Sequence, residues 1–186
     1  METSLATESV KNANPVSWRL SWLPTLFLAL LLGGCARSEP KVPSAPKTAA
    51  DYFTIKVDAH PVRMQLAILR AEMERGLMER REMSHDDGML FIYLRPQRMS
   101  FWMRNTHLPL DIGFFNPAGE LVEIYQLHPM DENPVSSHSD RLQFALEMNQ
   151  GWFKANGVRP GAILDLKTLI SAMKERDVDP DKFGLR

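Results

Sequence analysis

The chain has 186 residues, of which 44% are hydrophobic and 24% charged, and its formal net charge at pH 7 is −1. This composition is ordinary for a globular protein, and it lacks the basic excess expected of a nucleic-acid-binding protein, so no nucleic-acid partner is predicted. The single cysteine excludes both an intramolecular disulfide and a cysteine-based zinc site.

The first 35 residues have the pattern of a lipoprotein signal peptide. A region with basic residues precedes an apolar run, 23–32, which is too short for a membrane span of roughly 20 residues. Residues 32–35 resemble a bacterial lipobox, and we therefore predict lipidation at Cys35. Since Ala36 rather than aspartate follows, we expect an exported protein held by its lipid in the outer membrane and facing the periplasm. The alternative is an ordinary signal peptide with a chance cysteine, or an uncleaved anchor.

The rest of the chain is predicted to have three parts. Residues 36–50 contain three prolines among Ser, Ala and Lys, which is typical of a semi-extended tether. Residues 51–166 form the globular domain, and residues 167–186 form a C-terminal helix followed by a loose tail.

Period-two patterns and apolar runs predict eight strands within the domain. These strands span 52–57, 62–69, 88–94, 99–104, 111–115, 121–127, 142–148 and 162–166. A short helix is predicted over 70–75, ending at Gly76, and a helical turn over 151–155. Turns are expected at 95–97 and, from Asn-Pro-Ala-Gly, at 116–119, and a long loop at 128–140. Strands 52–57 and 62–69 are expected to form one hairpin, and strands 111–115 and 121–127 another. The predicted fold is mostly β: a compact antiparallel β-sandwich or barrel with one or two short helices.

Two of these strands matter for function. In strand 99–104, Phe101 and Met103 are predicted to face one side, with Trp102 and Arg104 on the other. Strand 142–148 alternates apolar and polar residues, so Glu147 is predicted to face outward on its polar side.

The chain carries none of the common catalytic or phosphate-binding motifs. No pair of its five histidines has helical metal-ligand spacing, and neither a metal site nor another cofactor is predicted. Copper(I) binding by soft thioether and imidazole ligands is a weaker alternative, resting on Met99, Met103, His107, His128 and Met130.

One group of side chains suggests a binding site if its strands are neighbours. The group comprises Trp102, Arg104, Asn105, Thr106, Asp111 and Glu147. An aromatic face, a guanidinium, an amide and two carboxyls would then line a pocket for a small molecule. The alternatives are an internal network, in which Arg104 pairs with Asp111 or Glu147, and a hydrolase that uses these two carboxyls as acid and base.

Five segments resemble a known family. They are Gly76-Leu77-Met78-x-Arg80, Gly88-Met89-Leu90-Phe91, Phe101-Trp102-Met103-Arg104-Asn105-Thr106, Pro109-Leu110-Asp111-Ile112 and Leu146-Glu147-x-x-x-Gly151. They resemble the bacterial and archaeal domain of unknown function 192 family over about residues 53–166. The resemblance implies a compact, β-rich, barrel-like sandwich and, often, a signal peptide. It implies no established activity.

From these observations we expect an envelope lipoprotein that binds a small polar, saccharide-like ligand. The ligand would lie against Trp102, oriented by Arg104, Asn105 and Glu147. A structural or protein-interaction domain without a ligand is the alternative, and its protein partner is left open.

Overall fold

The computed structural model describes residues 45–186, so the predicted signal peptide, Cys35 and most of the predicted tether lie outside the described residues. Within residues 45–186, no helix is both long and apolar enough to cross a membrane. Lys47 lies in the predicted tether, but its N–H donates to the carbonyl of Glu175 at 2.9 Å and its ammonium pairs with the Glu175 carboxylate at 2.7 Å. The end of the tether segment is therefore packed against the domain.

The described domain is mostly β, as predicted. Its strands are β1 Phe53–Val57, β2 His60–Ala67, β3 Asp87–Gln97, β4 Ser100–Phe101, β5 Leu110–Phe115, β6 Leu121–Leu127, β7 Val135–Ser136 and β8 Leu142–Asn149. Its helices are α1 Arg70–Arg75, α2 Trp152–Ala155, α3 Leu166–Glu175 and a short 3-10 helix, Pro180–Phe183.

The main sheet has six strands in the order β1-β2-β3-β8-β5-β6, and β4 pairs with β7 in a separate small sheet. The main sheet is mixed rather than wholly antiparallel, because β2 and β3 run parallel. Parallel neighbours need a crossover connection, and the segment that contains α1 provides it. The β1–β2 and β5–β6 hairpins are confirmed.

The main sheet is not closed, but one segment bridges its two edges. Leu164 donates to the carbonyl of Gly119 at 2.8 Å, and Asp165 donates to the carbonyl of Lys56 at 2.9 Å. The predicted strand over 162–166 is wrong, since its residues form only isolated bridges.

Side chains on the two faces of the main sheet form two separate apolar cores. The first core lies beneath α2 and α3 and includes Ile55, Leu66, Phe144, Trp152 and Leu169. The second core lies on the opposite face and includes Phe91, Met99, Met103, Ile112 and Phe114. Because both faces are covered, β8 is buried from Leu142 to Met148, and the prediction of one polar, outward face is wrong.

The C-terminal residues, predicted to be loose, also belong to the first core. Phe183 and Leu185 are buried there, and the side chain of Gln143 donates to the carbonyl of Phe183 at 2.7 Å. Arg176 is buried and contacts both the Glu72 carboxylate and the carbonyl of Leu66. The few apolar residues after α3 form no regular pattern, so the sequence did not predict that they pack into the first core.

Candidate functional site

The main chain of residues 99–106 holds the long loop 128–140 in place. Met103 donates to the carbonyl of Asp131 at 2.7 Å, and Met130 donates to the carbonyl of Thr106 at 3.0 Å. Because these hydrogen bonds go to a loop rather than to a neighbouring strand, the predicted strand 99–104 is reduced to Ser100–Phe101. The predicted turn at 95–97 is also wrong, since β3 continues to Gln97.

The side chains of this segment divide as predicted. Met103 is buried in the second core, and the ring of Phe101 packs edge-on against that of Phe91 with centroids 5.0 Å apart. Trp102 is 48% exposed, and the guanidinium carbon of the exposed Arg104 lies 5.3 Å from the centroid of its ring. This distance corresponds to a cation–π contact.

Asn105 and Thr106 complete a tight turn after Arg104. Asn105 has a φ of 53°, a left-handed conformation that asparagine tolerates better than most residues. The N–H of Thr106 donates to the carbonyl of Met103 at 3.0 Å, and its hydroxyl donates to the carbonyl of Arg104 at 3.3 Å. Thr106 is buried, whereas the Asn105 side chain is exposed.

Glu147 lies in the middle of the main sheet, on β8 between β3 and β5. It is paired with Met89 and Ile112, which belong to the second core, and it is only 5% exposed. No group in the described part of the chain donates a hydrogen bond to its carboxyl. Burial raises the pKa of Glu147 to about 8, because an apolar environment disfavours the charged form. The carboxyl is therefore mostly protonated at neutral pH.

A cavity of about 170 Å³ lies next to this carboxyl. It is lined by Glu147, Trp102 and Thr106 together with Phe91, Tyr93, Phe101 and residues 73–78 of α1 and the following turn. The structure thus brings together three of the six predicted site residues, and Arg104 and Asn105 lie between Trp102 and Thr106 in the chain. Burial, and then the charge of Glu147, raise the pKa of the Tyr93 hydroxyl.

Asp111 is not part of this cavity. On the paired strands β5 and β8, Asp111 is opposite Met148, whereas Glu147 is opposite Ile112. Successive strand residues point to opposite faces, so the two carboxyls lie on opposite sides of the sheet. One Asp111 oxygen accepts a hydrogen bond from the N–H of Gly151 at 2.7 Å, and burial raises the Asp111 pKa while that bond opposes the rise.

Two predicted arrangements are therefore missing from the described structure. Asp111 and Glu147 do not form the acid–base pair that the hydrolase alternative requires. Arg104 forms no ion pair with either carboxyl and lies over Trp102 instead, so the internal network is also not formed. Met99 and Met103, candidates for copper, are core residues, and residues 45–186 contain no group of three or more His, Cys, Asp or Glu placed to hold a metal.

Comparison with protein families gives one match that covers most of the domain. The model of DUF192, described as "Uncharacterized ACR", matches residues 53–166. The chain belongs to the DUF192 family. Comparison with curated proteins gives no match.

Two solved structures share the fold of this DUF192 domain. One is a proposed transcription regulator from Sinorhizobium meliloti 1021, with 33% identity and a TM-score of 0.59 over 64% of this chain and 96% of that chain. The other is a protein of unknown function from Novosphingobium aromaticivorans DSM 12444, with 32% identity and a TM-score of 0.57 over 65% of this chain and 92% of that chain.

The cavity contains residues that sequence reasoning did not assign to a site. Tyr93 lies at the end of an apolar run, which predicts a core strand, and the alternating charges of 70–75 predict a solvated helix face. One feature of the sequence does point to the α1 side of the cavity: Gly76 is the first residue of one of the DUF192 motifs. Gly76 ends α1 with a φ of 49°, and a Cβ there would lie 3.4 Å from the Phe91 ring, so the turn packs closely onto a cavity wall.

A larger depression of about 900 Å³ lies elsewhere, between the 116–122 turn and residues 160–161. None of its polar lining residues is buried, whereas the smaller cavity contains a nearly buried carboxyl. Since convergent polar groups in an apolar setting distinguish binding sites, the smaller cavity is the better candidate.

Proposed function

We propose that this DUF192 protein is a lipid-anchored binding module of the cell envelope, which holds a small polar, saccharide-like ligand in the Glu147 cavity. The observation that carries the proposal is the buried Glu147 carboxyl, which lines a cavity and lacks a hydrogen-bond partner among the described residues. A buried polar group without a partner costs free energy, and a bound ligand would recover it.

The surrounding side chains suit such a ligand. Trp102 offers a partly exposed aromatic face on which a sugar ring can stack, and Thr106 and Glu147 supply polar atoms deeper in the cavity. Arg104 and Asn105 are exposed next to Trp102, where they would orient the part of the ligand that remains outside.

The envelope location follows from the N-terminal sequence pattern, with Cys35 as the lipidation site and the membrane as the partner. Replacing Cys35 with alanine is expected to release the protein from the membrane fraction. Persistence of Cys35→Ala protein in the outer-membrane fraction would contradict lipid anchoring.

Other functions receive less support. The hydrolase alternative lacks its carboxyl pair, and a purely structural domain gives no role to a cavity lined by both a buried carboxyl residue and the exposed Trp102. The regulatory role named for the Sinorhizobium relative is not extended to this chain, because a formal net charge of −1 lacks the basic excess expected of a DNA-binding protein.

Ligand binding is tested with full-length protein in detergent micelles and a thermal-shift panel of glucose, N-acetylglucosamine and glucosamine. A Trp102→Ala variant is expected to remain folded and to lose the shift that the wild type shows. Ile163→Ala is the matched control, because Ile163 is 49% exposed and does not line the cavity. The proposal fails if no sugar shifts the wild type, or if Trp102→Ala keeps the full shift.

A further inference from the structure

The Glu147 cavity contains an acid with no basic partner of its own. Arg104, the basic residue of the family motif 101–106, lies over Trp102. Glu74 and Arg75 line the rim on α1, where both are exposed, and Glu74 is paired with Arg70 at 2.7 Å. The described part of the chain thus gives the Glu147 carboxylate no ion pair.

At neutral pH, a cation from outside the chain would therefore favour the ionised form of Glu147. A buried carboxylate without a counter-charge is strongly disfavoured, which is why burial raises the pKa of Glu147. A neutral hydroxyl can form a hydrogen bond with the protonated acid, but it cannot offset the charge of the carboxylate. An ammonium group does both, since it donates hydrogen bonds and carries the opposite charge.

The walls of the cavity also suit a cation. Phe91, Tyr93, Phe101 and Trp102 surround it, and aromatic faces attract ammonium groups, most strongly when they are shielded from water. The position of Arg104 over Trp102 shows that this ring already holds a cation on the protein surface.

We propose that the group entering this cavity is an ammonium, which pairs with the Glu147 carboxylate between aromatic walls. The proposal rests on the proposed binding function and narrows its ligand to an amine, either free or carried by an amino sugar. The cavity of about 170 Å³ holds roughly six waters at about 30 Å³ each, which is room for an ammonium and a few carbon atoms. A sugar ring would remain at the mouth, against Trp102.

The first test compares ligands that differ in charge, using titration calorimetry on full-length protein in micelles. Glucosamine is expected to bind at least tenfold more tightly than glucose or N-acetylglucosamine, which lack the ammonium. Binding of ethanolamine would identify a free amine as sufficient, and binding of glucosamine alone would identify an amino sugar. If only the uncharged sugars bind, this inference fails and the proposed function stands; if nothing binds, both fail.

The second test is the pH dependence of ethanolamine binding, since ethanolamine stays cationic over the range used. Below the Glu147 pKa of about 8, binding must displace a proton, so affinity is expected to rise about tenfold per pH unit toward pH 8 and then level off. The titratable and charged groups around the cavity are Tyr93 on β3, and Glu74 and Arg75 on α1. An affinity independent of pH below about pH 8 would overturn the proposal.

Two variants complete the test. Glu147→Gln keeps the side-chain shape and is expected to lose both the amine binding and its pH dependence, with folding checked by circular dichroism. Arg159→Gln removes an exposed charge outside the cavity and is expected to leave binding unchanged. Retention of ethanolamine binding in Glu147→Gln, or its loss in Arg159→Gln, would overturn the pairing of the amine with Glu147.

Discussion

The indole of Trp102 and the carboxyl of Glu147 line one small cavity, although one belongs to an irregular segment and the other to a central strand. The segment bends over the second core because its main chain is bonded to loop 128–140, as in the bond from Met103 to Asp131. The motif thus has a structural role through its backbone, and its Trp102 side chain is available for binding.

Glu147 is expected to make the folded state less stable as pH rises. Burial raises its pKa from 4.5 to about 8, so the folded protein keeps a proton that the unfolded chain releases. Its contribution is fully present below about pH 4.5 and is lost toward pH 8, at up to about 1.4 kcal/mol per pH unit. Urea unfolding of wild type and E147Q at several pH values measures this difference.

The control for this prediction is Glu74→Gln, which removes an exposed carboxyl at the rim of the same cavity. Its pH profile should follow that of the wild type. A difference between wild type and E147Q that grows in favour of the wild type as pH rises would contradict the assignment.

Replacing Arg176 with methionine is expected to destabilise the domain by about 3 to 5 kcal/mol, the usual cost of removing one member of a buried ion pair. Arg176 pairs with Glu72, whose carboxylate also accepts hydrogen bonds from the N–H groups of Ile68 and Leu69 at 2.9 Å each. The variant therefore leaves that carboxylate without its counter-charge. Guanidinium unfolding provides the measurement.

The double variant Glu72→Gln, Arg176→Met should recover part of the loss, because no unpaired charge remains. Lys174→Met, an exposed change in the last turn of α3 just before Arg176, is the control and should cost less than about 0.5 kcal/mol. Equal effects of Lys174→Met and Arg176→Met would refute the importance of the ion pair.

Gly88→Ala is expected to cost about 1 to 3 kcal/mol, the range for overpacking. A Cβ at Gly88 would lie 2.6 Å from the carbonyl oxygen of Glu147, which as backbone cannot move aside cheaply. The change should therefore disturb β3–β8 pairing next to the cavity. Gly113→Ala is a useful comparison, since its Cβ would meet the ring of the buried Phe153 at 2.8 Å, a side chain rather than a backbone atom. If Gly88→Ala and the wild type unfold at the same temperature, β3 and β8 can move apart to make room for the methyl group, and the predicted overpacking is wrong.

Truncating Glu123 to alanine is expected to loosen loop 128–140. The Glu123 carboxylate accepts hydrogen bonds from the N–H groups of His138 and Ser139 at 2.9 and 2.8 Å, and from the Tyr125 hydroxyl at 2.7 Å. We expect a loss of about 2 kcal/mol and faster amide hydrogen exchange at His138 and Ser139. Glu132→Ala, an exposed change in the same loop, should leave both amides as slow as in the wild type.

Local sequence patterns predicted much of the secondary structure correctly. Period-two alternation identified the β1–β2 hairpin, and the Asn-Pro-Ala-Gly turn identified the β5–β6 hairpin. The end of α1 followed from Gly76. These features depend on neighbours within a few residues, so a single sequence is sufficient to predict them.

The errors concern long-range packing. The parallel β2–β3 pair, the edge-bridging segment at 162–166 and the docked C-terminal residues each depend on contacts between distant parts of the chain. No local pattern distinguishes an exposed tail from one whose Phe183 enters a core.

The six candidate site residues also divide into features that local sequence predicts and features that depend on long-range packing. Alternation along the chain was sufficient to predict that Trp102 and Arg104 face away from Met103. The environment of Glu147 was not predictable, because a strand with alternating polar residues normally has one face in water. Here α1 and the 100–106 segment cover that face, and the resulting desolvation turns an apparently exposed carboxylate into a buried acid. The sequence was enough to recognise the family and its signature, whereas long-range packing placed Glu147 beside Trp102 and Asp111 on the other side of the sheet.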